Sequence, residues 1–138
     1  GDELWFYYGG FRGAHNGPSK GNLYRAQTGL ATLRLDGFCS MRAGDEEGWL
    51  ITRREVLQEP QVRINAKVGK DGFVLAEILD RDNNVLPGFS RDDCIPFSGD
   101  AVAHMLRWGT TEFAPDQLDG DKKFRIILKN ADLYSYLP

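Results

Sequence analysis

Val62-Arg63-Ile64-Asn65-Ala66-Lys67-Val68 alternates apolar and polar side chains without a break, and this run decides the fold. Successive side chains on an extended strand point to opposite faces. Val62, Ile64, Ala66 and Val68 therefore share one face, and Arg63, Asn65 and Lys67 the other. A strand with one apolar and one polar face belongs to an antiparallel sheet packed on one side and wet on the other. Downstream, Lys70-Asp71-Gly72 predicts a tight turn into a second strand over Phe73–Leu79, where Glu77 interrupts an otherwise apolar run. Asp80–Asn84 turns again, and Val85-Leu86 is short. Residues 87–101, with two Pro, two Gly and three Asp, read as a long ordered loop. Ala103–Trp108, Lys123–Lys129 and Leu133–Leu137 are further strands.

Upstream, Gly44–Gly48 is a polar turn before a strand at Trp49–Arg53. Ala31–Leu35 turns at Asp36-Gly37 into Phe38–Met41, a candidate hairpin or bulged strand. Leu4–Tyr8 is a strand aromatic on both faces and ended by Gly9-Gly10; residues 12–22 form a loop or linker. Nowhere do twelve residues carry a 3.6-residue apolar stripe. Short strands with turns every 8–12 residues predict an all-β fold, a two-sheet antiparallel β-sandwich of jelly-roll type, with a closed barrel as the alternative.

The chain has 138 residues and a formal net charge of −3. That length supports one domain with its own core. The acidic balance weighs against nucleic acid as a partner, since phosphate binding draws on clustered Lys and Arg. No apolar run is long enough for a membrane helix. The first residues resemble no signal peptide, so the chain is either cytoplasmic or already trimmed. Cys39 and Cys94 form no zinc spacing, and whether they are bridged is left open.

Little in the sequence favours catalysis. The two histidines, His15 and His104, stand near no nucleophile elbow, and Gly9-Gly10-x-x-Gly13 opens no helix. Asp36, Asp80, Asp82, Asp92, Asp93 and Asp100 fall at turns, where Asp binds its own backbone. Asp80, Asp82 and Asp92 are oxygen ligands suited to a structural Ca²⁺, though in no EF-hand spacing. Sugar recognition needs an exposed aromatic plane rimmed by polar groups. Candidates are Trp49, beside Glu47 and Gly48, then Trp108 and Tyr134. Trp5, Tyr7 and Tyr8 make the first strand more aromatic than an edge strand needs, which marks an interface with a neighbouring domain.

The opening Asp2-Glu3-Leu4-Trp5-Phe6-Tyr7-Tyr8-Gly9-Gly10 resembles the last strand of a five-bladed β-propeller in the invertase, levanase and inulinase group of glycoside hydrolases. The remainder resembles the β-sandwich that follows such propellers, through Gly29–Phe38, Val62–Ala66, Glu77–Asp80, Pro87–Cys94, Trp108, Phe124-Arg125 and Leu128–Tyr134. The resemblance implies three parts: residues 1–11 as a remnant propeller strand, 12–28 as a linker and 29–138 as the sandwich. The catalytic motifs of that group, Trp-Asn-Asp-Pro-Asn, Arg-Asp-Pro and Glu-Cys, do not occur here. The implied role is a non-catalytic accessory domain that packs against and stabilises a catalytic propeller of the same polypeptide, in an extracellular or periplasmic protein. It needs no cofactor, and glycan binding is a secondary property. The alternatives are a self-sufficient carbohydrate-binding module and an enzyme built on the turn carboxylates.

Overall fold

The structure, a computed structural model, describes residues 1–12, 25–57, 59–109 and 119–138. The chain is all-β, with two antiparallel sheets of two and six strands. Its contacts divide it into two units, Gly1–Gly37 and Phe38–Pro138.

The first unit is one ribbon. Strand β1 (Glu3–Arg12) pairs with β2 (Arg25–Arg34), from Glu3 opposite Arg34 to Arg12 opposite Arg25. Gly9-Gly10 does not end the strand. The Phe11 ring folds back over Gly9, and the Tyr8 ring lies over Gly29, where any Cβ would meet it at 2.4 Å. Large rings thus cover the glycines of the ribbon, compensating for the side chains that glycine lacks. Residues 25–28, expected in a linker, belong to β2, and the unit boundary falls at Gly37. Residue 12 of the expected linker ends β1, and residues 13–24, with His15, lie outside the described residues.

The second unit holds β3 (Met41–Ala43), β4 (Gly48–Ile51), β5 (Glu55–Val56), β6 (Val62–Leu79), β7 (Asp100–Leu106) and β8 (Asp121–Leu137). Strand β8 organises it. On one side it pairs with β6 along almost its whole length; on the other it takes β5, β4 and β3 in succession. Strand β7 pairs with the first half of β6. The expected hairpin from Ala31–Leu35 into Phe38–Met41 does not form, because β3 pairs with β8 while β2 pairs with β1. Asp36 takes a positive φ of 55° and Gly37 N–H donates to Arg34 O, which closes the turn.

Lys70-Asp71-Gly72 is a corner rather than a hairpin. Val68 stands opposite Ala131 and Phe73 opposite Lys129, so residues 69–72 lie against Asn130 alone, and β6 continues in its original direction. Asp71 and Asn130 both adopt left-handed backbone, with φ of 57° and 42°. A Cβ on Gly72 would stand 2.4 Å from Lys129 O and 2.7 Å from Asn130 O, so only glycine lets the two strands approach here.

The apolar alternation becomes the core. Val62, Ile64, Ala66, Val74, Ala76 and Ile78 of β6 are buried with Phe124, Ile126, Leu128, Ala131 and Leu133 of β8. The loop over 85–97 adds Phe89, Cys94 and Phe97 to this cluster, and Trp108 joins it. The same segments close the edge of β6 beyond β7. Val74 exchanges both backbone hydrogen bonds with Phe97, Ile78 N–H donates to Phe89 O, and Leu86 N–H donates to Ile78 O. Between them, Ala76 N–H donates to Cys94 Sγ at 3.3 Å, and the indole N–H of Trp108 donates to Ala76 O at 2.9 Å. Two side chains thus complete a ladder that an irregular loop could not complete with backbone alone.

Candidate functional site

Trp49 sits on β4 opposite Ile127, and its side chain is exposed, at 66%. The register places it on the face of the sheet opposite to Val74, Ala76 and Ile78 of β6. Three cross-strand rows follow one another there: Trp49 with Ile127 and Leu75, Ile51 with Arg125 and Glu77, and Lys129 with Phe73. Arg125 lies with its guanidinium carbon 5.7 Å from the centre of the indole ring. Its Nη1 donates to Glu77 Oε2 at 2.6 Å, an ion pair whose carboxylate side chain is only 7% exposed.

Arg91 ties this face to the loop over 85–97. Its backbone N–H donates to Glu77 Oε1 at 3.2 Å, and its guanidinium grips Glu47 with two hydrogen bonds of 3.1 and 3.2 Å. The line between those anchor points crosses the row of Leu75 and Ile127, and both residues are buried. A guanidinium forked to a carboxylate makes a charge-assisted pair of bonds, stronger and more directional than a single neutral one. The Arg91 guanidinium holds the Glu47 carboxyl below the usual carboxylate range. Trp49 thus stands in a rim of two arginines and two glutamates, each charge paired with its opposite. The sequence pointed to Trp49 and to the space left by Gly48, but not to Arg125 or Glu77. The only signal for them was Glu77 interrupting an apolar strand: a carboxylate there needs a cation in the neighbouring strand.

The other candidates are placed differently. Trp108 is buried at 6% exposure, edge-on to Phe89 with ring centres 5.8 Å apart, and its N–H is used on Ala76 O. It is a core residue and offers no platform, which corrects the sequence expectation. Tyr134 is half-buried, at a register irregularity where Asn65 stands opposite Ser135 and Ala66 opposite Leu133.

Asp80, Asp82 and Asp92 do not gather as ligands. The Asp80 carboxylate accepts from Asp82 N–H, Asn84 N–H and the Asn84 amide, and these hydrogen bonds, the Asn84 amide foremost, keep its pKa low. Among the described residues no three His, Cys, Asp or Glu side chains are placed to hold a metal ion. Asp80 is a turn residue that satisfies its own loop. Both cysteines are free thiols, Cys39 exposed and Cys94 buried. Trp5, Tyr7 and Tyr8 are exposed at 58%, 70% and 58%.

The fold defines the class: an all-β chain with two antiparallel sheets, its core built around a long β6–β8 pair. No family model, curated protein or solved structure matches it. Among the described residues no helix is long and apolar enough to cross a membrane.

Proposed function

We propose that this chain is a non-catalytic accessory module of a glycoside-hydrolase-like protein, whose β1–β2 ribbon docks against a propeller domain of the same polypeptide outside the cytoplasm. The observation that carries this reading is the exposure of Trp5, Phe6, Tyr7, Tyr8 and Phe11 on a two-stranded ribbon. Trp5, Tyr7 and Phe11 alternate along β1 with Phe6 and Tyr8, so both faces are aromatic. Two strands cannot bury both of their own faces, and aromatic rings displayed on both are the mark of a surface that another body covers. The test joins this chain to the residues encoded upstream of Gly1 and measures amide exchange across β1. The expected result is a propeller upstream and strong protection of Trp5–Tyr8 in the joined protein. Equal exchange in the joined and isolated chains would refute the docking role.

Trp49 favours a second reading, that the module also binds glycan. An exposed ring beside forked donors and acceptors suits a sugar, which offers an apolar ring face and directional hydroxyls. Titration calorimetry against an oligosaccharide panel tests it: binding is expected, and is lost in Trp49→Ala.

A further inference from the structure

The corner of β6 makes a groove on the same face of the sheet as Trp49. We infer that this groove is a second subsite that extends the Trp49 platform, so that the face binds a neutral oligosaccharide several rings long. The inference rests on the glycan reading of Trp49.

The groove is open to solvent, has a volume of about 550 Å³ and is lined by Arg42, Asp45, Lys67, Lys70, Asp71 and Asp132 together with backbone around Gly69 and Asn130. One row of side chains crosses four strands here, and three of its members line the groove. Arg42 of β3 stands opposite Asp132 of β8, Asp132 opposite Lys67 of β6, and Lys67 opposite Asp100 of β7. Charges alternate along this row, with Arg42 Nε 2.7 Å from Asp132 Oδ1 and Lys67 Nζ 3.6 Å from Asp100 Oδ2. Ala131 and Leu128 point into the core, so Asp132 and Lys129 share the outer face despite the kink at Asn130. Glu47, which grips Arg91, also feels the charge of Lys129. From Asn130 at the groove to Ile127 opposite Trp49 is three residues of β8, about 10 Å. Groove and ring therefore lie along one line, with the Glu47–Arg91 fork between them.

Charge selects the ligand class. The groove is lined by three cations and three anions. The platform sets Arg91 and Arg125 against Glu47 and Glu77. Neither surface presents the excess of Lys and Arg that a polyanion requires. Both offer donors and acceptors together, which hydroxyl groups use in both senses. The linear arrangement fits a chain of sugars, with one ring on Trp49 and the next units over Lys70 and Asp45.

Calorimetry with cello-, xylo- and fructo-oligosaccharides of increasing length, and with oligogalacturonate as the anionic control, tests this. For one neutral series, affinity is expected to rise about tenfold or more from dimer to pentamer, with no uptake of oligogalacturonate. In the double variant Asp45→Ser and Lys70→Ser, whose exposed side chains carry no ion pair among the described residues, dimer affinity is expected to hold and the gain with length to disappear. An unchanged length dependence in that variant, with binding still lost in Trp49→Ala, overturns the groove and leaves the glycan reading standing. Absence of binding to every neutral series overturns both, and preference for oligogalacturonate overturns the ligand class.

Discussion

At the residue scale, the molecule places polar groups where a sheet edge would otherwise be left unpaired. Trp108 is a hydrogen-bond donor first and an aromatic filler second. Trp108→Phe keeps most of the ring contacts with Phe89 but leaves Ala76 O unsatisfied in the core. The expected loss is about 1–3 kcal/mol in urea unfolding. Glu77 serves Arg125 and the Arg91 amide together, so Glu77→Ala should cost about 2 kcal/mol or more. Arg42→Ala, which removes a pair whose arginine is 74% exposed, should be close to neutral by the same measurement. Opposite ranking of these two would mean that Glu77 is not held as described.

At the scale of elements, alternation revealed the core strands but not their continuity. Val62–Val68 and Phe73–Leu79 were each visible as strands; what joins them was not. Lys-Asp-Gly suits a hairpin turn and a bulged corner alike, and only the partner strand tells them apart. Here the partner is β8, some sixty residues away, which no local pattern encodes. The same holds for Ala31–Leu35, whose turn chemistry suggested a hairpin with Phe38–Met41, while the pairing partner lay upstream in β1. At the candidate site, exposure of Trp49 was readable from its glycine-rich turn. Burial of Trp108 was not, because it depends on the loop over 85–97 folding back along β6. The corner gives a sharp test. Gly72→Ala forces a methyl group into two carbonyl oxygens and should destabilise by about 2–3 kcal/mol. Gly44→Ala, with nothing within 4 Å of the added carbon, should be nearly neutral. Thermal unfolding of both variants separates the two effects.

At the scale of the whole molecule, stability should fall on acidification, and the sign follows from the carboxylates. Arg42 keeps the Asp132 carboxyl low, the Asn84 amide that of Asp80, the Ser90 hydroxyl that of Asp93 and Arg91 that of Glu47. A carboxylate with a lower pKa when folded stabilises fully above its unfolded value and loses that contribution as protons bind the folded form. The loss should therefore set in near pH 4 and deepen below it. His104, stacked on Phe97 at 4.1 Å, is pushed down by burial first and by Arg107 second. Its neutral form is favoured by folding, so its contribution is complete above ~6.5 and declines beneath that pH. Urea midpoints across pH 3–8 should show an early shallow decline, removed in His104→Gln, and a later steep one. The two units should also differ in hydrogen exchange. Amides of the β1–β2 ribbon are expected to exchange far sooner than those of β6 and β8 in the isolated chain.

The two thiols have a practical consequence. Cys39 is open to solvent, whereas Cys94 is shut in the core with its sulfur on Ala76 N–H and its pKa pushed up by burial. An alkylating reagent applied to the native protein should therefore tag one position at once. The other becomes a built-in clock: the slow gain of a second label measures how often the β6 edge opens, without any engineered probe.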